Sequence, residues 1–474
     1  MRGAATVPAR PNTHQKALQI NLDRAKYGTF AEIGAGQEVA RWFFHVGGAA
    51  GTVAKTISAY DMTVSDAIYG PTARYVCRQR LEAMLDHEYT LLLQRLESSR
   101  GSESTFFVFA DTVATRSHQR QQDGEGWLGM RFQTQPRAAP SEIILHVGMR
   151  DSEPTQQQEA LGILGVNLIA GAFELHRDPL ALLLSLTDDL ARNRVEVDMI
   201  QFTGPAFAGV DNRLMSLRLV EHGLTDAALF NAGGEVVQPS EVLYKRPILV
   251  ERGRFRPITN LTLDLLDRAL EQFRDDPRLQ GATPVVLTEM TLRDLTAEGG
   301  IDHHDFLARV DTLAALSKTV LISNYMRYFR LVEYLSRYSQ QPTCIAVGVP
   351  SLLNIADQRH YEDLTGGVLE SVGRLFKEHV RLYVYPYREP DTGRLVTAET
   401  IAVAPHWRHL HAHLLEHRLL EPIRRYTSTY LPIRADEVLA QIRAGDARWE
   451  GQVPAAVVQV IKAKQLFGWR PPAA

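Results

Sequence analysis

The stretch Ile248-Leu249-Val250-Glu251-Arg252-Gly253-Arg254-Phe255-Arg256-Pro257-Ile258-Thr259-Asn260-Leu261-Thr262-Leu263 decides how this chain is read. A short apolar run closed by Gly and Pro reads as a strand, and the apolar residues that follow at helical spacing open an amphipathic helix. Between the two, Gly253 lets backbone approach a ligand closely, Pro257 presets the turn, and Thr259 or Asn260 is placed to cap the helix. A helix that starts this way offers amides and a positive dipole end to an anion, with Arg254 and Arg256 as cationic donors beside it. The expectation is a phosphate-binding turn.

The same rhythm continues outward on both sides. Strand patterns at 195–202, 226–230, 247–251, 284–288, 319–323, 343–347 and 380–385 alternate with helical patterns at 212–221, 261–273, 304–316, 326–338 and 361–377. Right-handed crossovers between such units build a Rossmann-like, doubly wound, largely parallel sheet, assigned here to residues 194–395. Residues 17–193 read as an N-terminal α+β domain. Its helices are expected at 38–44, 51–69, 72–98, 156–173 and 178–192. Its strands at 105–110, 126–132 and 143–147 suggest a small antiparallel sheet interrupted by the polar run 117–125. Residues 1–16 read as a disordered tail. Residues 396–474 read as a C-terminal helical segment, with helices at 407–426, 435–443 and 452–468, serving as a cap or an oligomer arm. The fold class is therefore α/β, with no internal repeat.

Composition narrows the function. The 474 residues are 45% hydrophobic and carry 52 Lys+Arg against 55 Asp+Glu, a formal net charge of -3. That balance removes the electrostatic case for a dedicated nucleic-acid or anionic-membrane binder. Two cysteines, Cys77 and Cys344, stand too far apart in sequence for a CxxC metal site or a disulfide framework, which fits a reducing, cytoplasmic setting. The first residues lack the apolar core of an export signal, and the longest apolar runs, such as 180–184, fall well short of the ~20 residues of a spanning helix. No membrane partner is expected.

The run Gly253, Phe255, Pro257, Ile258, Thr259, Asn260 matches in order the first motif of nucleotidylyltransferases, and it resembles above all the nicotinamide- or nicotinate-mononucleotide adenylyltransferases. In that family Gly-x-Phe-x-Pro-Ile-Thr-Asn precedes a helix whose histidine holds the ATP phosphates as charge builds during adenylyl transfer. Here Thr262 occupies the histidine's place, a hydroxyl that can bind phosphate but brings no positive charge. The family's second signature, Ser-x-Thr-x-x-Arg at the start of a late helix, is echoed by Ser323-Asn324-Tyr325-Met326-Arg327 with the spacing one residue short. The resemblance implies ATP with Mg²⁺ as cofactor, the metal bound mainly through the phosphates. It places Gly253, Phe255, Arg256, Pro257, Thr259, Asn260 and Thr262 around the ligand, with Lys245, Arg252 and Arg256 as the nearest cations.

Nearly the whole chain also resembles a family of bacterial proteins of similar length, through 30–41, Phe-Ala-Glu-Ile-Gly-Ala-Gly-Gln-Glu-Val-Ala-Arg, and 54–62, Ala-Lys-Thr-Ile-Ser-Ala-Tyr-Asp-Met. Its members carry two inherited names, nicotinate-nucleotide adenylyltransferase and TonB-dependent receptor. The second would require an outer-membrane barrel of many alternating strands with aromatic girdles, which this sequence does not offer.

Other constellations carry weaker chemistry. Gly34 and Gly36 supply two glycines of a dinucleotide fingerprint without the third, which suits a glycine turn opening a helix. In Gly47-Gly48-Ala49-Ala50-Gly51-Thr52-Val53-Ala54-Lys55, helical spacing would set the Lys55 ammonium one turn above a glycine-rich nest suited to an acidic ligand. His406, His409, His413 and His417 fall on one face of the helix read at 407–426, more as a polar helix face than a metal site. Asp61, Asp66, Glu289 and Asp357 are candidate acids without a partner in sequence, and no Gly-x-Ser-x-Gly elbow occurs.

Together these features suggest a cytoplasmic nucleotide-binding protein, possible nucleotidyltransferase chemistry, a phosphate-bearing small molecule as partner and a homo-oligomeric state. The alternatives are a non-catalytic oligomeric scaffold that keeps a degenerate nucleotide-binding sheet, and an enzyme centred on the glycine-rich N-terminal region.

Overall fold

The first core forms around Phe30, whose ring meets those of Phe43, Phe107 and Phe109 at centroid distances of 4.9, 5.7 and 6.2 Å. The computed structural model describes residues 11–116, 123–296, 299–377 and 379–471 and divides the chain into two units, Met1–Thr225 and Asp226–Ala474. The first unit opens with α1 (Thr13–Leu22), β1 (Lys26–Ile33), α2 (Glu38–Val46), β2 (Val53–Ile57), α3 (Met62–Tyr69) and α4 (Arg78–Arg100). It continues through β3 (Thr105–Ala114), β4 (Gly124–Phe132), β5 (Ser141–Met149), α5 (Pro154–Glu174), α6 (Pro179–Ser185), β6 (Val195–Thr203) and α7 (Asn212–Glu221). Its six-stranded sheet runs β2-β1-β3-β4-β5-β6. The pairs β3-β4, β4-β5 and β5-β6 are antiparallel as expected, whereas β1 lies parallel to both β2 and β3.

Three expectations need correction in this unit. The helix read at 51–69 is instead β2 followed by α3, because the Val53, Thr56 and Ile57 side chains are β-branched and pair alongside β1. The strand at 195–202 does not open the second domain; as β6 it completes the first sheet beside β5. Residues 13–16 belong to α1, where Asn12 caps the helix and the buried Lys16 ammonium donates to Asn167 and Asp188 at 2.7 Å each. The tail at 1–10 and the part of the polar run at 117–122 lie outside the described residues. The glycines Gly34 and Gly36 form the turn into α2, both with positive φ.

In the second unit the elements are β7 (Ala227–Phe230), β8 (Val236–Val237), α8 (Pro239–Leu243), β9 (Ile248–Arg252), α9 (Asn260–Arg274), β10 (Val285–Thr291), α10 (Leu292–Thr296), α11 (His303–Ala314) and β11 (Thr319–Ser323). There follow α12 (Tyr328–Tyr338), β12 (Thr343–Gly348), α13 (Val349–Ala356), α14 (Gly367–Leu375), β13 (Val380–Tyr385), β14 (Tyr387–Arg388) and β15 (Leu395–Val396). Last come α15 (Arg408–Glu416), β16 (Leu420–Pro422), α16 (Ala435–Ala444) and α17 (Ala455–Lys464). The eight-stranded sheet has the order β16-β13-β12-β9-β10-β11-β7-β8. All neighbours from β16 to β11 are parallel, and β7 and β8 add an antiparallel edge.

Numbered from β9, the parallel strands lie in the order 3-2-1-4-5-6, so the sheet is a doubly wound, Rossmann-like α/β fold. Both faces are covered, which is why β9, β11 and β12 are continuous apolar runs and not alternating ones. One face packs Val250, Leu287, Leu321 and Ile345 against α12 and α14; the other packs Leu249, Cys344 and Tyr383 against α9. The segment after residue 396 is not wholly helical. The helix read at 407–426 stops at Glu416, and β16 then extends the sheet beside β13. Lys464 of α17 bonds Asp311 of α11 at 2.7 Å, so the terminal helices pack within this unit.

Two predictions concern the first unit. At Gly34, φ is +105° and a β-carbon would stand 1.8 Å from the Val113 carbonyl oxygen, whereas at Gly36 the nearest atom would be 3.9 Å away. Gly34→Ala is expected to cost roughly 3 kcal/mol or more and Gly36→Ala about 1–2 kcal/mol, measured by urea denaturation. Glu32 and Asp111 pair in register on β1 and β3, both buried. Burial pushes the Glu32 carboxyl from 4.5 up to about 7, against the pull of the Ala40 and Val39 amides that it caps at 2.9 and 3.0 Å. Burial and the Glu32 charge likewise hold Asp111 well above the usual aspartate range. The folded state thus keeps a proton that the unfolded chain has lost, so stability falls as pH rises from 4.5 toward about 7. Glu32→Gln should flatten that part of the stability–pH profile; an unchanged slope would count against this origin.

Candidate functional site

Along β9 the side chains of Ile248, Val250 and Arg252 alternate onto one face, so the strand that begins in the core ends by delivering a guanidinium there. Arg252 is almost fully buried and is met on β10 by Glu289, itself completely buried. Arg252 Nε donates to Glu289 Oε2 at 2.8 Å and Nη2 to Oε1 at 2.9 Å, a bidentate pair. Ser323, the last residue of β11, donates its hydroxyl to Glu289 Oε1 at 2.6 Å. Arg252 Nη1 donates to the Met326 carbonyl at 3.2 Å, and the guanidinium lies 4.3 Å from the Tyr328 ring centroid. Burial alone would lower the Arg252 pKa; the Glu289 carboxylate outweighs it and raises the value above the usual arginine range. Burial pushes Tyr328 up to about 12, with Glu289 acting in the same direction against Arg252.

This cluster forms the floor of a cleft of about 1040 Å³ at the carboxyl ends of β9, β10, β11 and β12. Strand order reverses between β9 and β12, and the crevice outside that switch point is where doubly wound sheets bind ligands. Seven arginines line the cleft against three acids, Asp226, Asp294 and Glu333. Some rim cations are matched, as Arg330 is by Glu333 at 3.3 Å and Arg327 by Asp363. Arg254 reaches its nearest carboxylates, Asp294 and Asp436, only at 4.0 Å. Among the described residues Arg293 and Arg337 have no acidic partner. Tyr325, Tyr328 and Tyr361 supply aromatic wall, and Met326 is exposed at the same cleft.

The turn read as the phosphate site contributes only its first residues to the cleft. Gly253 and Arg254 line it. At Gly253 a β-carbon would stand 3.1 Å from the Phe255 ring, so the glycine makes room for that buried side chain. Arg256 Nε donates to Asp305 at 2.6 Å, and Arg309, which also holds Asp305 at 2.7 Å, donates to the Arg254 carbonyl. Pro257 follows a cis peptide bond. Thr259 caps α9 by accepting from the Thr262 amide at 3.3 Å, and the two hydroxyls lie 3.2 Å apart. The Asn260 amide, which opens α9, donates to the Gln452 carbonyl at 2.9 Å, and its side chain donates to the Gly451 carbonyl at 3.1 Å.

None of the remaining candidates lines the cleft, although Asp357 holds Arg359, which does. Lys55 is on β2 and not one helical turn above Gly51; its ammonium is held by the buried carboxylate of Glu88, which also accepts from Tyr69. Lys245 lies over the Tyr244 ring. Asp61 caps α3, Asp66 pairs with Arg80 at 2.7 Å, and Asp357 pairs with Arg359. His413 and His417 stack at 4.3 Å while His411 is buried, and among the described residues no group of three metal-ligating side chains converges. Among the described residues no helix is long and apolar enough to cross a membrane. Of the cations expected nearest the ligand, Arg252 lines the cleft while Lys245 and Arg256 do not; Arg327 stood in sequence only as an echo of a second signature, and Arg293, Arg330 and Tyr328 were missed. Their only signal was position, within a few residues of the end of a parallel strand.

No protein-family profile matches the chain, and no curated protein matches it significantly. Among solved structures it is similar to the competence/damage-inducible protein CihA from Agrobacterium tumefaciens, at 17% identity and TM-score 0.25 over 34% of this chain and 94% of that one. It is also similar to a competence-damaged protein (CinA) superfamily protein from Enterobacter cloacae, at 10% identity and TM-score 0.26 over 36% and 98%. A competence or damage-inducible protein from Enterobacter asburiae matches at 10% identity and TM-score 0.25 over 34% and 99%. Likeness at that level assigns no residue a role.

The Arg252–Glu289 pair makes a stability prediction. Glu289→Ala leaves a buried, uncompensated guanidinium and is expected to cost about 3–5 kcal/mol. Adding Arg252→Met should recover part of that loss in chemical denaturation. Equal destabilisation by the single and double substitutions would show that the pair is not what Glu289 supports.

Proposed function

We propose that the second unit binds a phosphate-bearing small molecule of the nucleotide class in the cleft above β9–β12. The observation that carries this reading is the arginine lining at the switch point: seven arginines, of which Arg293 and Arg337 meet no carboxylate among the described residues and Arg254 comes no nearer than 4.0 Å to one. Guanidinium groups match phosphate oxygens in a bidentate fork, and Arg252 is held in place by Glu289 before any ligand arrives. Tyrosine rings in the same walls suit a base or ribose, which a site for inorganic anions would not need.

In this reading the phosphates lie over Gly253 and Arg254, between Arg252 and Arg327, and not on the amide of Asn260 already committed to Gln452. ATP with Mg²⁺ fits the donor set as a polyphosphate. The metal would be carried by the phosphates, since the cleft's three acids come from separate segments. Adenylyl transfer is the narrower reading. It is supported by the order of Gly253, Phe255, Pro257, Ile258, Thr259 and Asn260, but Thr262 is engaged with Thr259 and brings no charge to a transition state.

Isothermal titration of the full chain with ATP, with and without Mg²⁺, should show saturable binding. Arg254→Ala and Arg327→Ala should each weaken it about tenfold or more, the worth of a charge-assisted hydrogen bond. Absence of saturable binding of ATP and AMP by the wild type removes the reading. Pyrophosphate release with mononucleotide acceptors would then separate transfer from binding.

A further inference from the structure

Resting on the nucleotide reading of the cleft, we infer that the site prefers a ribonucleotide carrying an additional phosphate on the ribose 2′ position over one with a free ribose diol. In doubly wound sheets the ribose of the bound nucleoside meets the carboxyl end of the second strand, where a carboxylate accepts from the 2′-hydroxyl or an arginine takes a 2′-phosphate. Counting from β9, the second strand is β10, which ends at Thr291.

Of the two carboxylates at this end, Glu289 is fully engaged and Asp294 is engaged through one oxygen. Glu289 holds Arg252 through both oxygens and accepts from Ser323. Asp294 Oδ2 accepts the Thr291 hydroxyl at 2.6 Å, and the Asp294 amide donates back to Thr291 Oγ1 at 3.2 Å, which closes a local turn. Between them stands Arg293, exposed, lining the cleft and without an acidic partner among the described residues. At this end a free diol would find only the Asp294 oxygen left over from Thr291, 4.0 Å from Arg254, while a 2′-phosphate would find at Arg293 a guanidinium with five donors. Arg254, whose nearest carboxylates are 4.0 Å away, lines the same cleft and adds to the local positive potential.

The test is calorimetric titration of the full chain with 5′-AMP, adenosine 2′,5′-bisphosphate and adenosine 3′,5′-bisphosphate at one fixed salt concentration. The 2′,5′-bisphosphate is expected to bind about tenfold or more tightly than AMP and more tightly than its 3′,5′ isomer. In Arg293→Ala, an exposed substitution that leaves the core untouched, the ratio of the 2′,5′-bisphosphate affinity to that of AMP should fall to within about threefold of unity. Equal affinities for AMP and the 2′,5′-bisphosphate, an equal gain from the 3′,5′ isomer, or a preference that survives Arg293→Ala would each overturn the inference while leaving nucleotide binding intact. Binding of none of the three overturns the underlying reading instead.

Discussion

Arg252 can end β9 inside the protein only because Glu289 meets it on the neighbouring strand. A buried guanidinium without a partner would cost several kcal/mol, and a buried carboxylate as much again; paired through two hydrogen bonds, each removes the other's penalty. The pair does more than neutralise charge. Through Ser323 it reaches β11, and through the Met326 carbonyl and the Tyr328 ring it reaches the start of α12. Three parallel strands and one helix entry are therefore fixed relative to one another at the point where a doubly wound sheet opens its crevice. The floor of the cleft is set by the fold and does not await a ligand.

The central sheet was legible because its strands are buried on both faces. Runs such as Ile248 to Val250, Val320 to Ile322 and Cys344 to Val347 leave little room for another reading once helices with a clear apolar stripe separate them. Strands that share burial with small or polar residues were harder to read. In β2 the residues Val53, Ala54, Lys55, Thr56 and Ile57 are only partly buried, and their composition suits either a helix turn or an edge strand. Pairing with β1, far from any local signal, decides between them. The same holds for β6, a strand followed by a helix that is locally indistinguishable from a βα unit. Its antiparallel partner β5 places it in the first sheet, and only register can show that.

The candidate site was legible in place and only partly in detail. Strand, glycine, proline and cap from Ile248 to Thr262 appear in the expected order, and the turn stands at the carboxyl end of a parallel strand. What sequence could not show is which groups return from elsewhere to occupy its donors. Gln452 takes the first amide of α9 from 192 residues downstream, and Asp305 takes Arg256. Glu289 was visible as an acid without a partner because Arg252 lies 37 residues away and meets it through strand pairing. Lys55 similarly finds Glu88 on α4. Long-range partners decide whether a polar residue is a ligand or a fastening, and helical or strand spacing carries no information about them.

The charge of the cleft argues that this arrangement is kept for a ligand and not for stability. Of the seven arginines around the crevice, Arg252, Arg327, Arg330 and Arg359 are matched by Glu289, Asp363, Glu333 and Asp357, and Arg254 comes no nearer than 4.0 Å to a carboxylate. Outside the cleft lining, Arg268, Arg278, Arg374 and Arg381 each meet a carboxylate within 3.2 Å. Arg293 and Arg337 line the cleft and have no acidic partner among the described residues. A guanidinium without a counter-charge adds positive potential where it stands, and these two stand where the reversal of strand order opens a crevice.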